Sequence, residues 1–154
     1  MQTPYYQYNI DLLRQTLSIA RQESQLNGFY VHYALKANSN PTILRIISEY
    51  GFGADCVSGN EVRTALENGF EANKIVFAGV GKTDDEIEFA IDNDILCLHC
   101  ESIQELEEVN RIASGKSKVV EIALRINPNV DALTHKYITT GTSINKFVLT
   151  VSEV

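Results

Sequence analysis

Strand-like and helix-like segments alternate along this chain with a nearly constant repeat. Apolar, β-branched and aromatic runs begin near residues 30, 53, 75, 95 and 119, roughly 22 residues apart. Each is followed by an amphipathic stretch with start and stop signals. A repeat of that length holds one strand, one helix and two short loops. It predicts parallel strands joined by crossover helices, because parallel neighbours need a long connection and antiparallel ones do not. The chain therefore reads as α/β with about five βα units. On the repeat alone, these fit either an open doubly wound sheet or part of a (β/α)8 barrel, whose full form takes about 250 residues.

The punctuation predicts the elements one by one. A first helix covers Asn9 to Gln25, with Asn9 as N-cap, Ile10, Leu13, Leu17 and Ala20 on one stripe, and Asn27-Gly28 as the stop. A strand then runs from Phe29 to Lys36, and a helix from Pro41 to Tyr50. Strands are predicted at Phe52 to Val57, Lys74 to Ala78, Ile95 to His99 and Val119 to Ile126. Helices are predicted at Gly59 to Asn68, Asp84 to Asn93 and Ile103 to Ala113. Thr83-x-x-Glu86, Ser102-x-x-Glu105 and Ser58-x-x-Glu61 have the form of capping boxes. Phe147 to Val154 reads as the opening of another element that does not finish.

Composition narrows the function. A formal charge of −7 argues against nucleic acid or an anionic membrane as partner. No apolar stretch approaches the roughly 20 residues of a membrane span. No secretory signal is visible at Met1-Gln2-Thr3-Pro4-Tyr5-Tyr6, so the expected compartment is the cytoplasm. Three cysteines do not make a disulfide framework. Cys97-Leu98-His99-Cys100 lacks the second ligand pair of a structural zinc site, and reads as packing, with Cys97 and His99 on one strand face. Gly79 to Thr83 resembles the tail of a phosphate loop, but Val76 stands where the pattern needs a glycine.

Four residues at the predicted carboxyl ends of strands are candidates for chemistry. Lys36 ends an apolar run, and burial there would disfavour the ammonium and free the amine as a Schiff-base nucleophile. The alternative is a strand-end lysine reaching into water. Asp55, a carboxylate within a predicted strand, calls for a cation, and Lys36 on the preceding strand is the natural one. Glu61 reads first as the acid of a cap. Arg125 either stacks on an aromatic ring or pairs with an acid at its strand end.

Together these segments resemble the diaminopimelate decarboxylase branch of the fold-type III pyridoxal-phosphate decarboxylases. The resemblance is carried by Tyr33-Ala34-Leu35-Lys36-Ala37-Asn38, by Gly53-Ala54-Asp55-Cys56-Val57-Ser58-Gly59-Asn60-Glu61 and by Gly81 to Glu86. It continues through Arg125-Ile126-Asn127-Pro128-Asn129-Val130-Asp131 to Gly141 and closes at Asn145-Lys146-Phe147, with Val148 where the family usually has glycine.

The resemblance implies part of a pyridoxal-phosphate-binding (β/α)8 barrel of the alanine racemase type. Lys36 would carry pyridoxal 5'-phosphate, Asp55 and Glu61 would lie beside it, and Arg125 near its ring. The implied reaction is decarboxylation of meso-diaminopimelate to L-lysine and carbon dioxide. Related decarboxylases of ornithine, arginine or carboxynorspermidine share the Lys36 motif, and a non-catalytic α/β binding module is the other alternative. The family's ring-stacking histidine, phosphate loop and C-terminal residues fall beyond the counterpart of Val154. Residues 1–154 are thus expected to be the N-terminal part of the barrel domain, without the C-terminal β domain and with little activity alone. The implied partners are a small amino-acid substrate and a second copy, as a homodimer or by self-association of the open edges.

Overall fold

The structure, a computed structural model, describes residues 3–127 and 149–150. The motif residues Asp131 to Gly141 and Asn145-Lys146-Phe147 lie outside the described residues.

Helix α1 (Ile10–Asn27) begins at Asn9, whose side-chain oxygen accepts from the Leu12 amide at 3.0 Å. It ends at Gly28, left-handed at φ 68°, a conformation costly to any residue with a Cβ. The repeat then unfolds as β1 (His32–Ala34), α2 (Pro41–Glu49), β2 (Gly53–Cys56), α3 (Gly59–Glu67), β3 (Ile75–Phe77), α4 (Asp84–Asp92), β4 (Cys97–Cys100), α5 (Ile103–Gly115) and β5 (Ile122–Leu124). Two short strands follow, β6 (Ile126–Asn127) and β7 (Leu149–Thr150), paired in parallel. The start of a further element after Phe147 is thus present at β7.

Every strand from β2 to β5 pairs in parallel with its predecessor, in the order β1-β2-β3-β4-β5. This order separates the two architectures. A doubly wound sheet reverses its strand order at a switch point and carries helices on both faces. No reversal occurs among the described strands, so right-handed crossovers put successive helices on one face. Burial agrees. Ala54, Cys56, Ile75, Phe77, Leu98 and Cys100 are buried towards the helices. Ala34, Asp55, Val76, Cys97 and His99, on the opposite face, are half-covered. These are consecutive units of a barrel wall.

The core lies between sheet and helices and is led by Phe77, Leu35, Leu44, Ile47, Ile75 and Ile87. Full burial of each such side chain contributes about 1.5–3 kcal/mol. In α2, Asn40 caps Thr42 at 2.9 Å, Pro41 opens the first turn, and Ile43, Leu44, Ile46 and Ile47 fill the buried stripe.

The strand expected over Phe29 to Lys36 is shorter. Phe29 and Tyr30 are 68% and 93% exposed and precede the sheet. Beyond Ala34 the chain turns into a 3-10 helix, Leu35–Ala37. Asn38 draws it out of the strand: its carbonyl accepts from the Tyr33 hydroxyl at 3.1 Å, and its side-chain oxygen accepts from the Asn40 amide at 2.9 Å. The last long strand, expected over Val119 to Ile126, is interrupted at Arg125, between β5 and β6.

The three serine and threonine caps form, in two variants. Thr83 and Glu86 make the reciprocal box at α4. At α3 and α5 the serine accepts from Glu61 and Glu105, but each acid reaches one residue further back, to the amides of Val57 and Glu101, both at 2.7 Å. Glu86 also spans two units, accepting from the Gly59 amide at 2.7 Å. Amides of Thr83 and Gly59 hold its carboxyl below the usual carboxylate range. A depressed folded pKa gives stability that is full above the unfolded value and is lost as pH falls. Glu86→Gln is therefore expected to flatten the loss of stability as pH falls from about 5 to about 3, read by urea unfolding at each pH. Parallel pH dependence in both proteins would remove Glu86 from this role.

Candidate functional site at the carboxyl ends of the strands

Lys36 sits on the second residue of the 3-10 turn, after the fully buried Leu35. The Tyr33–Asn38 bond closes this turn, and Asn38 also donates to the Tyr8 hydroxyl at 3.1 Å. The backbone that carries Lys36 is thus tied to its own strand and to the N-terminal segment. Lys36 itself is exposed, which decides for the strand-end lysine reaching into water over the buried amine: the turn lifts it clear of the sheet. It also forms no ion pair with Asp55. Among the described lysines, Lys74, Lys82, Lys116 and Lys118 each hold an acid, and Lys36 has no ion-pair or hydrogen-bond partner.

The strand register shows what surrounds it. Ala34, Asp55, Val76 and Cys97 stand side by side across β1 to β4. One step further towards the carboxyl ends, His99 pairs with Ala123. Side chains two apart share a face, so residues 97, 99 and 101 follow one another up the same wall. The result is a cavity of about 990 Å³ where Lys36, Asp55, His99, Glu101 and Arg125 line one space. Its walls are Val57, Val76, Ala78, Ala123 and their neighbours. Of the four sequence candidates, Lys36, Asp55 and Arg125 meet in this cavity. Glu61 is not in its lining, and its carboxylate is engaged by the Val57 amide.

Arg125 is paired. Its Nη1 lies 3.1 Å from Oε1 of Glu101, a carboxylate only 7% exposed. The backbone N–H of Arg125 donates to the Cys100 carbonyl at 3.0 Å, and its own carbonyl accepts from Leu149 at 3.1 Å. The chain changes neighbours at this residue, from β4 to β7.

The buried lysine of this rim is Lys82. Its side chain is 2% exposed, and its ammonium donates to the carbonyls of Gly79 and His99, both at 2.7 Å, and to Glu105 at 2.9 Å. Three donors meet three acceptors, which is what a buried ammonium requires. Gly79 makes this possible: at φ 99°, an added Cβ would meet the Val57 carbonyl at 2.9 Å. Lys82 is thus committed to structure, in keeping with the incomplete phosphate-loop pattern.

His99 and Glu101 are site residues that the sequence reading left to packing or to a loop. The period-2 alternation beginning at Cys97 was the available signal, and it continues past the strand to residue 101. Burial holds the His99 imidazole below its ordinary range, with Lys82 and Arg125 pushing the same way and Asp55 and Glu101 opposing. The ring is therefore neutral near pH 7 and can accept or donate one hydrogen bond. The thiols stay protonated. Burial raises Cys56 to about 12 and Cys100 to about 11, and Cys97 is raised as well. Among the described residues no group of His, Cys, Asp and Glu is placed to hold a metal ion. What the cavity offers is one unpartnered primary amine, a half-buried carboxylate, a neutral imidazole and a tethered guanidinium. That set suits capture of a carbonyl compound by the amine.

Residues 13–154 match the family described as pyridoxal-dependent decarboxylase, pyridoxal binding domain. The chain is 51% identical over 155 residues to a diaminopimelate decarboxylase of Bacteroides thetaiotaomicron, covering all of this chain and 40% of that protein. It is 45% identical over 145 residues to one of Helicobacter pylori, covering 94% of this chain and 36% of that protein. The chain therefore spans well under half the length of these relatives. A crystal structure of the Helicobacter pylori enzyme complexed with L-lysine is similar with a TM-score of 0.89 and 41% identity, over 99% of this chain and 39% of that one. An arginine decarboxylase of Paramecium bursaria Chlorella virus, 20% identical with a TM-score of 0.72, shares the fold.

Replacing Lys82 by Met is expected to destabilise the protein by about 3 kcal/mol or more, because Glu105 would remain buried without its cation. The double replacement Lys82→Met with Glu105→Leu should recover part of that loss. Urea unfolding of the three variants measures both. A loss under about 0.5 kcal/mol for Lys82→Met would show that the pair carries no stability.

Proposed function

This chain belongs to the pyridoxal-dependent decarboxylases, as their pyridoxal binding domain, and on that premise we propose that the intact protein decarboxylates meso-diaminopimelate to L-lysine and carbon dioxide. The carrying observation is the state of Lys36. It is the described lysine without a partner, and it opens into a cavity that also holds Asp55 and Arg125. The substrate is suggested by the activity named for the relatives and by the L-lysine bound in one solved structure. Residues 1–154 form, in this reading, the N-terminal part of the barrel domain.

The residues present fit pyridoxal 5'-phosphate. When bound, it supplies an aldehyde for a Schiff base and a ring that accepts the electron pair released as a carboxylate leaves. Lys36 would hold it through its ε-amine, the nucleophile of the site. Asp55 lies two strand positions below the level of Lys36 and would place a carboxylate on the wall beside the bound group. The planar guanidinium of Arg125 would offer it donors and a flat cationic face. Glu61 acts from the helix cap, and its part is to hold the β2–α3 corner that bears Val57.

A homodimer in the cytoplasm completes the proposal. The parallel sheet leaves β1 at an edge of the described residues, with one face half-covered, and such surfaces favour association. Among the described residues no helix is long and apolar enough to cross a membrane.

Borohydride reduction of the protein mixed with pyridoxal phosphate should fix the pyridoxyl group on the peptide carrying Lys36, as read by mass spectrometry. Lys36→Ala should abolish both this label and carbon dioxide release from diaminopimelate. Labelling spread over exposed lysines, or release of carbon dioxide from ornithine or arginine in preference to diaminopimelate, would refute the assignment. Sedimentation of the intact protein should show a dimer, and a monomer at high concentration would remove that part of the proposal.

A further inference from the structure

Glu101 is a buried acid whose carboxylate caps nothing. The cap of α5 belongs to Ser102 and Glu105, and the Glu101 main-chain amide is a donor in it, to Glu105 at 2.7 Å. The side chain instead follows the alternation of Cys97 and His99 onto the cavity wall. There its Oε1 accepts from Arg125 Nη1 at 3.1 Å. A carboxylate 7% exposed is costly to keep charged unless a cation meets it, so Arg125 is its partner by necessity.

The dependence runs both ways. Arg125 has a side chain 40% exposed, and its guanidinium carries five N–H donors, of which the described residues engage one, on Nη1. Its main chain is pinned to Cys100, the residue before Glu101. The root and the tip of this arginine are therefore both set by the end of β4. A long side chain held at both points loses less rotamer freedom when it receives a ligand.

We propose that Glu101 is a positioning residue for Arg125, holding the guanidinium on the cavity wall so that its remaining donors serve the group bound beside Lys36. The proposal rests on the pyridoxal reading of the cavity. In this role Glu101 acts through Arg125. The requirement is for a charged acceptor of this length at this point, which a glutamine meets in size but not in charge.

Two measurements on the intact protein test it. In the first, without cofactor, arginines are modified by phenylglyoxal and mapped by peptide mass. Glu101→Gln should speed modification of Arg125 by about fivefold or more, from loss of a charge-assisted bond. Arg14 and Arg111, which keep their own acids, should be unchanged. In the second, the absorbance of bound pyridoxal phosphate gives its affinity. Glu101→Gln should weaken it about tenfold when Arg125 is present and less than twofold in an Arg125→Ala background, as coupling through one residue requires. If glutamine prevents folding, Glu101→Asp, which keeps the charge and shortens the reach, is read in the same way. Equal losses in both backgrounds, or modification that rises at all three arginines together, would overturn the proposal. Absence of any cofactor absorbance in the unmodified protein would instead sink the pyridoxal reading, and the first measurement would still decide whether Glu101 holds Arg125.

Discussion

One buried ammonium organises the carboxyl rim of the sheet. Lys82 joins the β3–α4 loop, through the Gly79 carbonyl, to the end of β4, through the His99 carbonyl, and to α5, through Glu105. Glu105 in turn caps its helix and holds the amide of Glu101. On the other side, Glu86 caps α4 and takes the first amide of α3. Three helix starts are thus linked edgewise by two acids and a lysine. Helix N-termini carry partial positive charge, which is why acids serve as the links. The lysine is needed where Glu105 would otherwise be left inside without a counter-charge.

The cavity residues inherit their places from this linkage. His99 stands on the strand whose carbonyl Lys82 grips. Glu101 follows it and fixes Arg125. Asp55 precedes the Val57-Ser58 corner that Glu61 closes. Lys36 alone is held differently, by the Tyr33–Asn38–Tyr8 chain of hydrogen bonds. The reactive amine and the groups facing it are thus fastened through separate networks, and a change in one need not displace the other.

Much of this was readable from the residues. The capping residues Asn9, Ser58, Thr83 and Ser102, with Pro41 at a first turn, gave helix starts because these are local signals between near neighbours. The repeat gave the parallel sheet. Strand order did not follow from it, because both architectures share the same local pattern and differ only in which strands meet. Lys36 was recognised as the notable amine, and of its two readings, buried or reaching into water, the structure takes the second: the asparagine turn that lifts it lies after the strand and acts on backbone. Lys82 was passed over, since its three partners come from positions 79, 99 and 105 and only the fold brings them together. Glu101 was hidden in what looked like a loop, although two-residue alternation carries through it.

The corners at Val57-Ser58 and Glu101-Ser102 are only two residues long between strand and helix, and each is bridged by an acid reaching back over it. Barrels of this class ordinarily diversify by lengthening the loops at this rim. Here an inserted residue would part the serine from the amide that its companion acid must reach, and at the second corner would also unseat the lysine. New specificity at these two corners is therefore open to point substitution and closed to insertion.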